Sequence, residues 1–185
     1  GLLVMAQAMS RRGRKVGSAV TSDEMRGQWK AISADLERVA LQDDASVESR
    51  IQAVELLAYE VEQAGMLGRI ALADAPASLR SAAINGWGRH ATTDQWQQVL
   101  QRFRSESPAL RRVIIDQTLT NPERTAALLD QISAGAITAS ELDRTQADRL
   151  SKHPDEAIRR RVATLIGSSV SADRASSAAW AVISS

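Results

Sequence analysis

The chain has 185 residues, 44% of them hydrophobic, so it is long and apolar enough to form one domain with a sizeable core. Its 23 basic and 22 acidic residues leave a net charge of +1, which excludes a bulk electrostatic attraction to nucleic acid or anionic membranes. The absence of cysteine excludes disulfides, thiolate metal sites, a cysteine nucleophile and covalent attachment of c-type haem.

Residues 1–17 are predicted to be the end of a preceding unit. The apolar run from Leu2 to Met9 is too short to span a bilayer, and basic residues follow it instead of preceding it, which argues against a signal peptide. We therefore expect a trailing helix, a basic connector through Gly17 and no direct membrane insertion. Because position 1 is not methionine, the sequence is typical of a piece of a longer protein.

Helical spacing of apolar residues predicts a series of amphipathic helices within a domain over 18–167. Capping-box sequences occur at Thr21–Glu24, Thr92–Gln95 and Thr138–Glu141, and Gly135 is predicted to end a helix. Residues 168–185 are predicted to be a tail or a short capping helix. No alternating strand pattern competes with this all-α prediction. The main predicted helices span about 22–41, 46–61, 76–88, 107–119, 122–133, 139–150 and 154–166.

One motif recurs along this series. Helix 107–119 has a capped start and one apolar face, and its pattern around Arg111 is repeated around Arg50, Arg80 and Arg159, at separations of 30, 31 and 48 residues. Two separations fit one helical hairpin, and the third requires an extra helix. Because one hairpin cannot bury its apolar face alone, we expect a right-handed α–α superhelix (solenoid) of about four helical hairpins, with an extra helix between the last two.

The sequence Leu-Arg-Ser-Ala-Ala-Ile at 79–84, preceded by Asp74-Ala-Pro76, resembles the second helix of HEAT repeats. The stretch from Asn121 to Leu165 is similar to the HEAT-like segment of bacterial membrane-associated, haem-binding dehydrogenase-type proteins, where it joins a sugar-dehydrogenase-like propeller to a c-type cytochrome domain. This resemblance implies a spacer or docking module, in the bacterial cell envelope or periplasm, with the cytoplasm as the alternative. It transfers no dehydrogenase or electron-transfer activity to these residues.

Two groups of candidate residues follow from the repeat and from local composition. The aspartates that precede the repeat arginines could accept charge-assisted hydrogen bonds from them and so orient stacked hairpins. This predicted structural ladder comprises Asp43, Asp44, Asp74 and Asp155 with Arg50, Arg80, Arg111 and Arg159. The predicted partner-binding residues are Trp87, Arg89, His90, Arg112 and Arg160, although packing between hairpins is favoured for Trp87 and a surface turn for His90.

Other aromatic and imidazole residues are predicted to be structural. Trp29 and Trp96 lie on regular apolar stripes and are expected in the core. With His90 and His153 as the only histidines, we expect no metal site and no cofactor. His153, before a proline, is expected to be a helix-entry residue that makes a capping hydrogen bond.

The sequence therefore favours a non-catalytic module that binds a protein partner or flanking domains of the same chain through the second helix of each hairpin. The alternative is a nucleic-acid-binding protein resembling the HEAT-like DNA glycosylases, because basic residues cluster locally. The balanced total charge weighs against it, and no phosphate-binding loop, nucleophile elbow or paired-carboxylate motif is recognisable. The basic cluster comprises Arg102, Arg104, Arg111 and Arg112.

Overall fold

The computed structural model describes residues 23–165. The predicted trailing helix, basic connector, first capping box and C-terminal tail lie outside the described residues. Within 23–165 every regular element is helical, which confirms the predicted all-α class. The α-helices are α1 Asp23–Leu41, α2 Val47–Leu57, α3 Ala64–Leu72, α4 Ala77–Trp87, α5 Thr93–Arg102, α6 Pro108–Thr118, α7 Pro122–Ser133, α8 Arg144–Ser151 and α9 at 156–165.

Local capping chemistry determines where several helices begin and end. Thr92 and Gln95 form the capping box predicted for α5, with each side chain bonded to the other residue's backbone. Ser107 caps α6, and Pro108 lies in its first turn, where no backbone donor is needed. Gly135 follows the end of α7 with φ of +70°, a conformation that glycine adopts without strain, so the predicted stop is confirmed.

The helix predicted over 46–61 is shorter than expected. It ends at Leu57, because Glu60 has an extended backbone (φ −90°, ψ 118°) that interrupts the helical hydrogen bonds. Val61, the last residue of that predicted helix, lies instead in a 3-10 turn over Val61–Gln63 and is 48% exposed.

The helix predicted over 139–150 is also wrong in its first half. Residues Ala139–Glu141 form a 3-10 turn, and Leu142 then extends and packs against the core before α8 begins. The capping box of α8 is formed by Asp143 and Gln146, whereas Thr138 makes no side-chain capping bond. The start of the helix is therefore determined by the burial of Leu142 and by the Asp143–Gln146 capping box, and not by the predicted Thr138–Glu141 box.

Helix packing follows a regular order. α1 packs on α2 and α3 on α4, while α2 packs on α4, α4 on α6 and α5 on α7. A main apolar core extends along this array from Ala40 to Val162 and buries Trp96 and Phe103. Trp29 and Leu56 form a smaller cluster where α1 meets α2, so the core positions predicted for both stripe tryptophans are confirmed. Each fully buried leucine or isoleucine contributes about 1.5–3 kcal/mol to the stability of this core.

Several side-chain hydrogen bonds join residues that are about one hairpin apart in sequence. Arg111 bonds to Glu141, 30 residues away, and Gln117 to Asn85, 32 residues away. The Gln146 side chain reaches the carbonyl oxygen of Arg112, at a separation of 34 residues. These separations are close to the 30- and 31-residue intervals between the first three repeat arginines.

Candidate partner-binding surface

A groove of about 450 Å³ crosses three helices, α2, α4 and α6. We call it the α2–α4–α6 groove. Its lining combines small residues with side chains that carry hydrogen-bonding or charged groups, as a surface that binds a polar partner requires. The lining residues are Glu55, Ala58, Tyr59, Ala82, Asn85, Gly86, Arg89 and Gln117.

The floor of the groove is made where α2 and α4 approach closely. A Cβ atom on Gly86 would lie 2.8 Å from the Cβ of Ala58, a distance that real Cβ atoms do not tolerate. Glycine at position 86 therefore allows the two helices to touch. Ala58 and Ala82, which also line the groove, have short side chains.

Arg89 is held on one wall by two hydrogen bonds and an aromatic ring. Its Nη1 donates to the carbonyl oxygen of Asn85 at 2.7 Å, and its Nη2 donates to the Tyr59 hydroxyl at 3.2 Å. The guanidinium carbon lies 4.4 Å from the centroid of the Tyr59 ring, within the range of a cation–π interaction. Arg89 itself is exposed, so its remaining N–H groups face water.

Two carboxamides continue the groove from α4 to α6. The Gln117 Nε2 donates to the Asn85 Oδ1 at 2.9 Å. A Cβ on Gly88 would lie 2.6 Å from the Gln117 Oε1, so the bare backbone at Gly88 makes room for this side chain. The pair leaves the Asn85 amide nitrogen and the Gln117 oxygen for other partners.

The predicted partner-binding residues do not form one site. Trp87 is 4% exposed and lies 6.0 Å from Trp96, ring to ring, so its indole is not available to a partner. The His90 Nε2 donates to the Ala58 carbonyl oxygen at 3.0 Å and thereby joins α2 to the end of α4. Of the five predicted residues, Arg89 lines the groove.

Arg112 and Arg160, the other predicted partner-binding residues, form exposed ion pairs elsewhere. Arg112 lies 3.3 Å from an Asp143 carboxylate oxygen, and Arg160 lies 3.3 Å from one of Glu156. Both arginine side chains are mostly exposed, at 67% and 74%. Such surface pairs contribute about 0–1 kcal/mol to stability, so neither contact holds its arginine firmly.

The repeat arginines bind backbone carbonyls at the end of a preceding helix or in the connection that follows it. Arg50 donates through Nε to the Ala40 carbonyl oxygen at 3.1 Å, and Arg80 donates to that of Ala71 at 3.0 Å. Arg159 donates to the carbonyl oxygens of His153 and Pro154. The four C-terminal carbonyls of a helix lack intrahelical donors, so the bonds of Arg50 and Arg80 satisfy acceptors that have no donor within their own helix.

The acidic partners of these arginines differ from most of those predicted. Arg80 forms two bonds, of 2.8 and 2.6 Å, with the carboxylate of Glu106, and this pair is largely buried. Arg111 bonds to Glu141 at 2.8 Å. Arg50 pairs with Asp43 at 3.1 Å. Among the described residues, no ion pair joins the repeat arginines to the other predicted acids, Asp44, Asp74 and Asp155.

Asp155 and His153 act instead at the entry to α9. The Asp155 Oδ1 accepts a hydrogen bond from the Ala157 backbone N–H at 2.8 Å. The His153 Nδ1 accepts one from the Asp155 N–H at 3.1 Å, so the predicted capping role of His153 is confirmed.

Arg124 is a buried cation that the sequence analysis did not identify. It is 4% exposed on α7, and it donates to the carbonyl oxygens of Gly88, at 2.7 Å, and Ala91 beyond the end of α4. Its guanidinium carbon lies 4.8 Å from the Trp96 ring centroid, and its Nε has no hydrogen-bond acceptor. Burial lowers the pKa of the Arg124 guanidinium below its ordinary value.

Residues 23–165 contain no cluster of three or more histidine, aspartate or glutamate side chains that could hold a metal ion. Over the same span, each helix is too short or too polar to cross a bilayer.

Comparison with protein-family models, curated proteins and solved structures finds no match for this chain.

Proposed function

We propose that the chain is a HEAT-like α–α solenoid that acts as a non-catalytic interaction or inter-domain scaffold. The observation that carries this proposal is the α2–α4–α6 groove, because three helices separated by intervening segments contribute side chains to one continuous surface. In a solenoid, equivalent helices of successive hairpins line the same face.

The sequence separations between hydrogen-bonded side chains support a stack of similar units. Contacts at separations of 30, 32 and 34 residues are those expected when each hairpin lies beside its successor. The longer interval before Arg159 is accommodated by α7 and α8. Resemblance to the segment that joins propeller and cytochrome domains favours a role between flanking domains.

A pull-down with the purified 185-residue chain tests the scaffold function. The groove variant carries Asn85→Ala and Gln117→Ala, which removes both carboxamides without enlarging any side chain. The control carries Asp35→Ala and Arg38→Ala, an exposed pair on α1 whose side chains are 75% and 65% accessible. We expect a partner retained by the wild type and control but lost by the groove variant. Equal retention by all three chains, or by none, contradicts the proposal.

Nucleic-acid binding is the second candidate, and the local basic cluster favours it. However, Arg102 donates to the Leu72 carbonyl oxygen, Arg104 to those of Gly135 and Ala136, and Arg111 to Glu141. These contacts use guanidinium N–H groups that phosphate binding would need, and the Glu141 carboxylate offsets the charge of Arg111. Fluorescence anisotropy with duplex DNA at low salt distinguishes the candidates, since a steep loss of binding as salt rises would favour nucleic acid.

A further inference from the structure

A second concave surface lies along α1. It has a volume of about 530 Å³, and its residues come from α1 and from the segment that joins α2 to α3. We call it the α1 cleft. Trp29 and Ala34 contribute apolar surface to it, and Val61, between two of the lining residues in sequence, is 48% exposed. The lining residues are Arg26, Trp29, Lys30, Ser33, Ala34, Glu37, Glu60, Glu62 and Gln63.

α1 is longer than the helix that packs against it. It has 19 residues and α2 has 11, so at 1.5 Å per residue α1 is about 12 Å longer. Arg50, in the first turn of α2, bonds to Ala40 near the end of α1, whereas Leu56, near the end of α2, packs on Trp29. The two helices are therefore antiparallel, and the start of α1 extends beyond α2 beside the cleft.

Chain connectivity places the residues before α1 close to this cleft. α1 begins at Asp23, and Arg26, about one helical turn later, lines the cleft. The run over 2–9 is separated from α1 by residues 10–22, which can extend to about 45 Å. The connection is therefore long enough for 2–9 to lie along the cleft.

The run over 2–9 also matches the cleft in chemistry and length. It is apolar except for Gln7, and Leu2, Met5 and Met9 recur at helical spacing on the side opposite Gln7. A helix of this length would extend over about 12 Å, and the lining positions of α1 extend over about 16 Å. One apolar side of such a helix could thus cover the cleft while its polar residue faces water.

The charges of the two parts of the chain are complementary. Residues 1–22 contain four basic and no acidic residues, and since the whole chain has a net charge of +1, residues 23–185 have a net charge of −3. The cleft itself contains three glutamates against one arginine and one lysine. Attraction between the basic connector over 11–15 and this acidic surface favours an approach of the segment to the cleft.

We propose that residues 2–9 of this chain dock in the α1 cleft and pack on Trp29 and Val61. Leu2, Met5 and Met9 face the cleft, and Gln7 faces solvent. The segment takes the place that a neighbouring unit has at an internal hairpin of a solenoid. It holds the chain that leads into α1 against the first described hairpin, so the chain enters this hairpin in a fixed direction. The α2–α4–α6 groove and its scaffold function are not needed for this docking.

The test uses the whole 185-residue chain, in which one introduced cysteine can be labelled specifically because the natural sequence has none. Gln7→Cys carries a nitroxide spin label on the side that faces away from the cleft. NMR then measures how strongly the label broadens each backbone amide signal. We expect the amides of 34–37 and 60–63 to lose most of their signal, whereas those of α9, the last described helix, keep theirs.

Two lysine substitutions on α1 supply a matched pair. Ala34 and Ala31 are both exposed, but of the two Ala34 lines the cleft. Lysine is a good helix former, so both variants should keep α1, and their amide chemical shifts verify this. We expect Ala34→Lys, which places a charged side chain in the cleft, to restore the lost signals. Ala31→Lys should leave them broadened.

Three results would overturn the inference. Broadening may be absent or confined to the first turn of α1, which is nearest to the label along the chain. It may persist unchanged in Ala34→Lys. A mixture of spin-labelled chains with isotope-labelled, cysteine-free chains supplies the third: broadening of 60–63 in that mixture would show that the segment docks on a second copy instead of its own chain.

Discussion

Arg124 has the least conventional environment among the described residues. A buried arginine usually requires a carboxylate, but Arg124 bonds instead to the backbone carbonyls of Gly88 and Ala91 and lies over the face of Trp96, while its Nε has no acceptor. The Gly88 carbonyl, at the C-terminus of α4, carries part of the negative end of the helix dipole, which offsets part of the cost of burying the cation. The Arg124 side chain thus joins α7 to the connection between α4 and α5 and to Trp96 of α5.

We predict that Arg124→Lys lowers the free energy of unfolding by about 2–3 kcal/mol, because one ammonium group cannot bridge two carbonyls in the guanidinium geometry. Urea unfolding followed by circular dichroism measures the change. Arg112→Lys is the matched control: its side chain is 67% exposed, and its stability should change by no more than about 0.5 kcal/mol. A loss equal to that of the control would mean that the two carbonyl bonds contribute little.

At the scale of the helices, arginine side chains repeatedly cap the ends of other helices. Arg50 reaches the end of α1, Arg80 the end of α3 and Arg124 the end of α4. A guanidinium offers five donors in a planar fork, so one arginine can bind a carbonyl and a carboxylate together, as Arg80 does. Base composition of the genome could explain an excess of arginine over lysine, but these contacts give the arginines a structural use.

Alanine substitution at two glycines is predicted to change stability in opposite directions, because only one of them lies where α2 packs closely on α4. Gly86→Ala places a Cβ 2.8 Å from that of Ala58, so it should separate the helices and cost about 1–3 kcal/mol. Gly27→Ala, within α1, meets no atom within 4 Å and should stabilise the chain by about 0.5–1 kcal/mol. Thermal unfolding of both variants measures the two shifts. Stabilisation by both substitutions would show that α2 and α4 can move apart without cost.

The helices themselves could be predicted because their determinants are local. The Thr92–Gln95 box and the start of α6 depend on residues within one turn, and apolar spacing identified the burial of Trp96. The ion-pair partners could not be predicted in this way. Asp74 precedes Arg80 in sequence, but Glu106, 26 residues downstream, is the residue that packing brings to it. A 30-residue spacing from Arg111 could have indicated Glu141.

The groove required the tertiary structure for the same reason. Tyr59 was not identified from the sequence. Its role depends on Arg89, which follows α4 and lies over the Tyr59 ring. Arg124 lies in an amphipathic helix where a charged residue is normally expected to face water, and the carbonyls it binds are 33 and 36 residues earlier. Contacts between helices, which periodicity does not specify, therefore define both positions.

At the scale of the whole molecule, the proposed stack predicts how far the destabilising effect of one substitution extends along the chain. In a chain of repeats each unit contacts its neighbours, so a terminal unit can lose structure while distant units remain folded. Trp29 and Leu56 form a small cluster between α1 and α2, the first two described helices, and this cluster is separate from the main core. Ile84, by contrast, is 1% exposed in that core on α4, which packs on α2, α3 and α6.

We therefore predict different hydrogen-exchange patterns for Trp29→Ala and Ile84→Ala, although each removes a buried side chain at a cost of about 2–5 kcal/mol. In Trp29→Ala, faster amide exchange should be confined to α1 and α2, because the remaining interfaces are intact. In Ile84→Ala, it should extend from α2 through α6, since α4 contacts units on both sides. Mass spectrometry of peptides from α7 and α8 gives the decisive measurement. If Trp29→Ala accelerates their exchange as much as that of α1, the chain unfolds as one cooperative domain, and the stack of semi-independent units is wrong.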